Sequence, residues 1–414
     1  MASIIPEEIL RAGCVDYVGI SEGEYTLLEL LEVLRGERTP ERVLGIAYLD
    51  AEGSFHRTQD RPFADLADFP PLDFSLITVE RYLQYSSWAN RTFMIYTAKG
   101  CPFRCDFCYN KEYHRCQWRG YPKETVFSQI HELVQRYNVN GLLFCDEMFG
   151  TDKRRFREFC QSISETGYNI KWGAQTVMGT LSNEDIELMY AAGCRRIDFG
   201  LETGSAEMRK KIHKFYDASR ISATIKKCRD LGLFVTNNFI LGFPDETPEQ
   251  LRETVRLYFG TLPSICACCL YYSLPGTQLY SELEEQGRVQ RPKTLDGWIQ
   301  KAKKNAFENY SKIPTKELFT VLAFMTWQEV FRNSGRPSKG SVKLKSVFST
   351  LFNRIRHFTL TTSFLEAFQL AWHTLKRFCF IAWYAHAYPS IRKKYDLYAK
   401  NLGRTEWDDA PMAR

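Results

Sequence analysis

Thr92-Phe93-Met94-Ile95-Tyr96-Thr97-Ala98-Lys99-Gly100-Cys101-Pro102-Phe103-Arg104-Cys105-Asp106-Phe107-Cys108 is the stretch on which the fold turns. An apolar run, TFMIYTA (92–98), leads into a loop crowded with cysteine, and from there strand-like and helix-like runs alternate. A helical pattern over 122–137 precedes GLLFCD (141–146), and 152–166 precedes NIKWGA (169–174). Helix 182–192 precedes RRIDFGL (195–201), helices across 205–230 precede LFVTNNFILG (233–242), and helix 247–259 precedes SICACCLYY (264–272). Alternation of this kind predicts a parallel sheet with right-handed crossovers. The strands read as unbroken apolar runs, as expected when both faces of a sheet are covered. Six units are too few to close an eight-stranded barrel. The expected fold is therefore α/β: a partial (β/α)6 TIM-like barrel over 92–286.

Outward from this core the chain changes character. Residues 1–52 read as a remnant α/β segment: helix Pro6–Arg11, strand Asp16–Ile20, helix Tyr25–Leu34 and strand Val43–Leu49. Residues 53–91 read as a linker punctuated by Pro62, Pro70 and Pro71. Residues 287–414 read as a helical, basic C-terminal region, clearest at 314–333 and 363–386, with GRPSKGS (335–341) as a break.

Cys101-x3-Cys105-x2-Cys108 places three thiols within eight residues, on a loop short enough to bring them to one metal centre. Thiolates select soft centres, chiefly iron–sulfur clusters and zinc. Structural zinc takes a fourth ligand, which Cys116 or His114 would supply. Three ligands without a fourth fit a four-iron cluster with one open iron. The loop follows a strand, where barrel enzymes keep their chemistry.

With Phe107 before the last cysteine, this run resembles the radical S-adenosylmethionine (SAM) superfamily. The resemblance implies that Cys101, Cys105 and Cys108 hold a [4Fe-4S] cluster whose open iron chelates SAM. It also implies an enzyme that cleaves SAM reductively and starts radical chemistry on an organic substrate. It extends over roughly 1–290. Asp146-Glu147 stands where the family has an acidic pair near the SAM amino group. Gln175 is implied to touch SAM or substrate. Glu202, in FGLETGS (199–205), is implied to bind the ribose or methionine part. Asn238–Thr247 (NFILGFPDET) resembles the segment whose backbone near Ile240 and Gly242 packs the adenine, although Asp245, Glu246 and Thr247 also read as helix caps. Leu274-Pro275-Gly276-Thr277 resembles a segment of the pocket floor.

The likeness is greatest to the subgroup with a cobalamin-binding domain ahead of the barrel. Ile5-Pro6-Glu7-Glu8-Ile9-Leu10 and Asp16–Glu24 (DYVGISEGE) resemble the last third of that domain. The cobalt-ligating D-x-H-x-x-G segment is absent, so cobalamin is doubtful, and the chain reads either as truncated or as a relative that lost the cofactor. Without cobalamin, oxidation, rearrangement or cyclisation gains on methylation. The rival expectation is a non-catalytic iron–sulfur or zinc protein, or an inactive truncated product.

Composition sets outer limits. The 414 residues are 44% hydrophobic and 25% charged, which excludes a disordered, collagen-like or coiled-coil chain. No uncharged apolar run approaches the roughly 20 residues of a membrane span. Thirteen cysteines without an export signal suggest a reducing cytoplasm. The net charge of +6 is uneven: Gly287–Arg414 carries 23 Lys and Arg against nine Asp and Glu. Interleaved with Trp372, Phe378, Phe380, Trp383 and Tyr384, this tail reads either as a helical cap over the barrel or as an interfacial helix giving peripheral membrane contact. No RNA-binding signature accompanies the charge, so nucleic acid is not expected as a partner. The expected partners are a small-molecule substrate, lipid-like or a natural-product intermediate, and a reducing electron donor such as a flavodoxin or ferredoxin.

Overall fold

The computed structural model describes residues 1–86, 88–261, 263–303 and 307–333. The expected helix over 363–386, the break at 335–341 and the basic aromatic tail lie outside them. The chain begins with α1 (Pro6–Arg11), β1 (Tyr17–Gly19), α2 (Glu24–Leu34), β2 (Ile46–Leu49) and β3 (Phe55–Arg57). Then come β4 (Thr92–Ile95), β5 (Ala98–Lys99), α3 (Asn110–Tyr113), β6 (Arg119–Gly120), α4 (Lys123–Tyr137), β7 (Gly141–Phe144), α5 (Lys153–Glu165), β8 (Lys171–Val177), α6 (Asn183–Ala191) and β9 (Cys194–Glu202). The described part ends with α7 (Ala206–Lys211), α8 (Ile221–Asp230), β10 (Phe234–Leu241), α9 (Pro248–Thr261), β11 (Ile265–Leu270), α10 (Gln278–Glu285), α11 (Leu295–Lys303) and α12 (Thr315–Asn333).

The main sheet has six strands in the order β11-β10-β9-β8-β7-β4. Sequential strands lie side by side with a helix in each crossover, which is the partial (β/α)6 barrel expected. By contact density the chain falls into two units, neither a single stretch of sequence. One comprises Met1–Gly200, Glu207–Val235 and Tyr271–Tyr310; the other comprises Leu201–Ala206, Thr236–Leu270 and the described residues from Ser311 onward.

In the first unit β4, β7, β8 and β9 pair in parallel, with Ile95 opposite Phe144 and Phe144 opposite Ala174. The helices between them start and stop on local signals. Asp152 accepts from Arg155 N to begin α5, Ser182 and Asp185 form a reciprocal capping box on α6, and Asn138 in the left-handed region ends α4. Val126, Ile130 and Leu133 of α4 are buried at helical spacing. Phe144, Phe149, Phe159 and the fully buried Trp172 form an aromatic cluster, with the Trp172 Nε1–H donating to Ala192 O at 2.8 Å.

The N-terminal segment of this unit is a three-stranded sheet, β1-β2-β3, antiparallel throughout. The tight turn Asp50–Ser54, with Gly53 at φ 80°, leaves β3 no course but to fold back on β2. Leu10, Val18, Ile20 and Ala47 form its core. The leucines of α2 behave unexpectedly: Leu27, Leu28 and Leu34 are 60%, 58% and 72% exposed, so one apolar face of this helix faces solvent.

In the second unit β10 and β11 pair in parallel from Thr236–Ile265 to Leu241–Leu270. Helix α12 packs on β11 and α9, and Phe239 meets Tyr258 edge to face at 6.3 Å.

Candidate functional site

The cysteine loop is an excursion between β5 and β6. These two short strands pair antiparallel, Ala98 with Gly120 and Lys99 with Arg119, and close the base of the loop. Gly100 enters it at φ 83°, and a Cβ there would lie 2.0 Å from Gln117 O, so no other residue fits. Inside, the buried Asn110 acts as a template. Its Oδ1 accepts from Cys101 N at 3.1 Å, and its Nδ2 donates to Cys101 O at 2.7 Å and Phe103 O at 3.2 Å. Cys108 N donates to Cys105 O at 3.0 Å. Asp106 N donates to Ile212 O and Leu279 N to Asp106 O, both at 3.1 Å, and the Asp106 carboxylate meets His213 Nδ1 at 2.5 Å.

Cys101, Cys105 and Cys108 are thiols, not disulfide halves. Burial pushes the Cys101 thiol up to about 11, so a positive centre must repay its ionisation. Among the described residues no three His, Cys, Asp or Glu side chains are grouped as a single metal ion requires. A four-iron cube takes one thiolate on each of three irons and needs no common point. Three neighbouring thiols are the kind of donor set that iron–sulfur clusters take. The zinc alternative would draw on Cys116 or His114, and His114 Nε2 already meets Glu147 Oε1 at 3.2 Å.

The acidic pair after β7 braces this loop. Asp146 is 1% exposed; its Oδ1 accepts from Thr97 N at 2.6 Å and Ala98 N at 3.1 Å, and its Oδ2 accepts from Thr97 Oγ1 at 2.5 Å. Burial outweighs these hydrogen bonds and raises its carboxyl to about 6. Glu147 accepts from Gly100 N at 2.9 Å and from His114. Burial raises its pKa, but the His114 and backbone hydrogen bonds prevail and hold it below the ordinary carboxylate value. Gln175 lies on β8, exposed, with its Nε2–H donating to Glu147 O at 3.4 Å. The structure thus brings the three cysteines, Asp146, Glu147 and Gln175 into one bonded neighbourhood.

Glu202, Ile240 and Gly242 belong to the second unit. Glu202 ends β9 at φ 63° and is 8% exposed. Beyond it, Gly204 N donates to Thr254 Oγ1 at 2.9 Å, and a Cβ on Gly204 would lie 2.4 Å from Glu253 O, so glycine lets the turn sit against α9. Ile240 is half-buried near the end of β10. Gly242 follows at φ 81°, and its N–H donates to Glu246 Oε2 at 2.6 Å, as Phe243 N does at 3.2 Å. Glu246 is fully buried, its Oε1 has no partner, and burial raises its carboxyl to about 7. It folds back on the glycine turn, while Thr247 and Gln250 exchange hydrogen bonds at the start of α9.

Several supporting residues escaped the sequence reading: Asn110, Thr97, and an ionic clamp from the N-terminal segment; His114, weighed there only as a zinc ligand, here holds Glu147. Glu22 pairs with Arg119, and Lys99 Nζ lies 2.7 Å from Glu24 Oε1 and 3.7 Å from Glu22. Ser21 Oγ donates to Tyr113 O at 2.9 Å, and the Arg115 and Arg119 guanidiniums lie over Phe63 at 4.8 and 4.4 Å. The stretch Ser21-Glu22-Gly23-Glu24 signalled importance; its partners lie some 75 to 97 residues away.

Residues 95–258 match the model of the Radical SAM superfamily, a span that starts at the end of β4 and takes in the cysteine loop. The chain carries a radical SAM domain. An uncharacterized methyltransferase of Pyrococcus horikoshii is 27% identical over 277 residues, 66% of this chain and 60% of that one. The anaerobic magnesium-protoporphyrin IX monomethyl ester cyclase of Cereibacter sphaeroides is 27% identical over 290 residues, 67% of this chain and 46% of that one. The chain thus spans about half to three fifths of these curated relatives. Among solved structures, the radical SAM methyltransferase TsrM of Kitasatospora setae superposes with a TM-score of 0.59 at 18% identity, covering 69% of this chain and 57% of that one. That radical SAM fold matches the partial barrel found here. Another structure of TsrM contains cobalamin and a [4Fe-4S] cluster.

Proposed function

We propose that this protein is a radical SAM enzyme, with Cys101, Cys105 and Cys108 holding a [4Fe-4S] cluster and SAM bound beside it. The observation that carries the reading is the Cys-x3-Cys-x2-Cys excursion after the first barrel strand, braced by Asn110, Asp146 and Glu147, in a radical SAM domain. When bound, the cluster supplies an electron to SAM, and the resulting radical chemistry belongs to the cofactors.

The chain's own residues bind, orient and exclude water. Glu147, Gln175 and Glu202, with the backbone at Ile240 and Gly242, are assigned to the SAM pocket, the carboxylate of Glu147 suiting its ammonium group and that of Glu202 its ribose or methionine part. Asp146, wholly engaged by Thr97 and Ala98, is assigned to holding the loop. Residues 92–286 serve as the catalytic barrel, 1–52 as an N-terminal segment joined by the linker 53–91, and 287–414 as an accessory region.

The residues present do not fit cobalamin. The only histidine in residues 1–91, His56, meets Asp50 at 2.6 Å and stacks on Tyr48. No step is assigned to that cofactor, and the proposed reaction class is radical methylation, oxidation or cyclisation of a small organic substrate. A reducing protein such as a flavodoxin or ferredoxin is the proposed electron donor. No helix among the described residues is long and apolar enough to cross a membrane, and a cytoplasmic site of action is proposed.

Anaerobic reconstitution with iron and sulfide tests the reading. It should yield a brown protein that releases 5′-deoxyadenosine from SAM under a strong reductant. Metal analysis giving one zinc and no sulfide would replace it with a non-catalytic zinc protein.

A further inference from the structure

The cysteine loop is tied to the segment that follows α7. Asp106, directly after Cys105, donates from its N–H to Ile212 O at 3.1 Å, and its carboxylate meets His213 Nδ1 at 2.5 Å. One hydrogen bond and one peptide link thus separate the Ile212 carbonyl from Cys105, a proposed cluster ligand.

The surface at this junction is basic and has an apolar centre. Residues 209–214 (RKKIHK) hold four Lys or Arg and no Asp or Glu. Lys214 is buried, and the Arg209 guanidinium lies over the Tyr216 ring at 4.9 Å. Lys210 and Lys211 are exposed, as is Arg104 on the cysteine loop itself. Arg104 and Lys210 have no ion-pair partner among the described residues. Phe215, next along the chain, is 62% exposed. Its ring stands edge-on to His213 at 6.0 Å, and Asp106 fixes His213 in turn. An exposed aromatic ring among cations suits a protein contact, the ring as anchor and the charges as rim. The cations at the base of the loop are, by contrast, already paired: Lys99 with Glu24, Arg119 with Glu22 and Arg115 with Asp60.

We propose that this surface, Arg104, Lys210 and Lys211 with Phe215, docks a small acidic one-electron carrier protein that reduces the cluster. One electron leaves the carrier and enters the cluster, and no bond in this chain forms or breaks. Cations steer an acidic partner into contact, and a small patch suits a carrier that must leave after each transfer. This deepens the function proposed above by placing its electron donor, and it rests on that reading for the electron's destination.

Calorimetric titration of the cluster-reconstituted full chain with oxidised flavodoxin, an acidic carrier, reads docking without turnover. Wild type should bind at one saturable site, more weakly as salt rises. Lys210→Glu and Phe215→Ser should each weaken binding about fivefold. Both side chains are exposed, so melting temperatures should be unchanged. Arg136→Glu makes the same charge change at the end of α4 that leads into β7, away from the cysteine loop, and should leave affinity unchanged. In turnover, subsaturating reduced flavodoxin should drive SAM cleavage about fivefold more slowly in Lys210→Glu. Dithionite, which needs no docking, should drive wild type and variant equally. Wild-type affinity in Lys210→Glu or in Phe215→Ser, an equal loss in Arg136→Glu, or a parallel fall in dithionite-driven cleavage would overturn the proposal. The two readings fail separately. A chain that cleaves no SAM even under dithionite sinks the enzyme assignment, whereas a chain that cleaves SAM with dithionite but does not bind flavodoxin sinks the docking surface alone.

Discussion

Glu147, just past the end of β7, accepts a hydrogen bond from the backbone N–H of Gly100, 2.9 Å away and one residue ahead of the first loop cysteine. Asp146 does the same for Thr97 and Ala98. Two adjacent carboxylates thus set the path of the chain into Cys101.

Cys105→Ala should remove a cluster ligand while keeping the fold, because it deletes one sulfur atom and leaves the backbone and Cβ in place. Iron and sulfide per chain after anaerobic reconstitution should drop by at least half. Full cluster content in this variant would refute the ligand assignment.

Asp146 should leave a signature in the pH dependence of stability. Burial raises its folded pKa to about 6, above the 3.8 of an ordinary aspartate, so the folded chain holds the proton more tightly than the unfolded chain. The associated stability is fully present below pH 3.8 and is lost as pH rises through 6. The difference is on the order of 3 kcal/mol. Urea titrations at pH 4 and pH 7 should show wild type losing that much relative to Asp146→Asn, which cannot titrate. Parallel profiles for the two proteins would contradict the shift.

Gly100→Ala should damage the loop far beyond the loss of one turn. The position needs positive φ, which costs a non-glycine residue about 1–2 kcal/mol, and the new methyl meets Gln117 O. Cluster content and melting temperature should both fall. The same change at Gly232, where φ is 81° and nothing lies within 4 Å, should lower stability slightly and leave the cluster intact.

Glu246→Gln and Glu246→Ala should part company. Glutamine keeps an acceptor for Gly242 N–H and Phe243 N–H, and the native carboxyl, raised to about 7, is already largely neutral in mild acid. Alanine strands both buried donors, at about 1–3 kcal/mol each. Chemical denaturation at pH 6 should show near-native stability for glutamine and a loss of about 2–5 kcal/mol for alanine.

Glu22→Gln should loosen the N-terminal segment. Its carboxylate is 10% exposed and Arg119 17%, so removing one partner leaves a poorly solvated charge, at about 1–3 kcal/mol. Limited proteolysis should cut nearer the N-terminus in the variant. Reversing the pair, Glu22→Arg with Arg119→Glu, should recover part of the loss.

Much of the barrel was legible because its signals are local. The apolar runs at 141–146, 195–201 and 233–242 become β7, β9 and β10, and the helix over 122–137 becomes α4 within one residue. Where apolar spacing misled, the partner was at fault and not the pattern. Leu27, Leu28 and Leu34 repeat as a buried helix face would, but nothing in the described chain covers them. The position of the acidic pair after β7 carries no sign that Asp146 accepts hydrogen bonds from Thr97 and Ala98, nearly fifty residues earlier.

The sequence by itself determined what depends on neighbours along the chain: the three thiols within eight residues, the alternation of strand and helix, and the glycines at 100 and 242. Tertiary structure alone decided which carboxylates brace the loop, that Asn110 templates it, and that Ser21–Glu24 clamps it. Hydrogen bonds and ion pairs join groups by distance in space, and tens of residues of folded chain bring Glu22 to Arg119 and Glu147 to Gly100. No spacing in a one-dimensional string encodes such a meeting until the sheet has placed both ends.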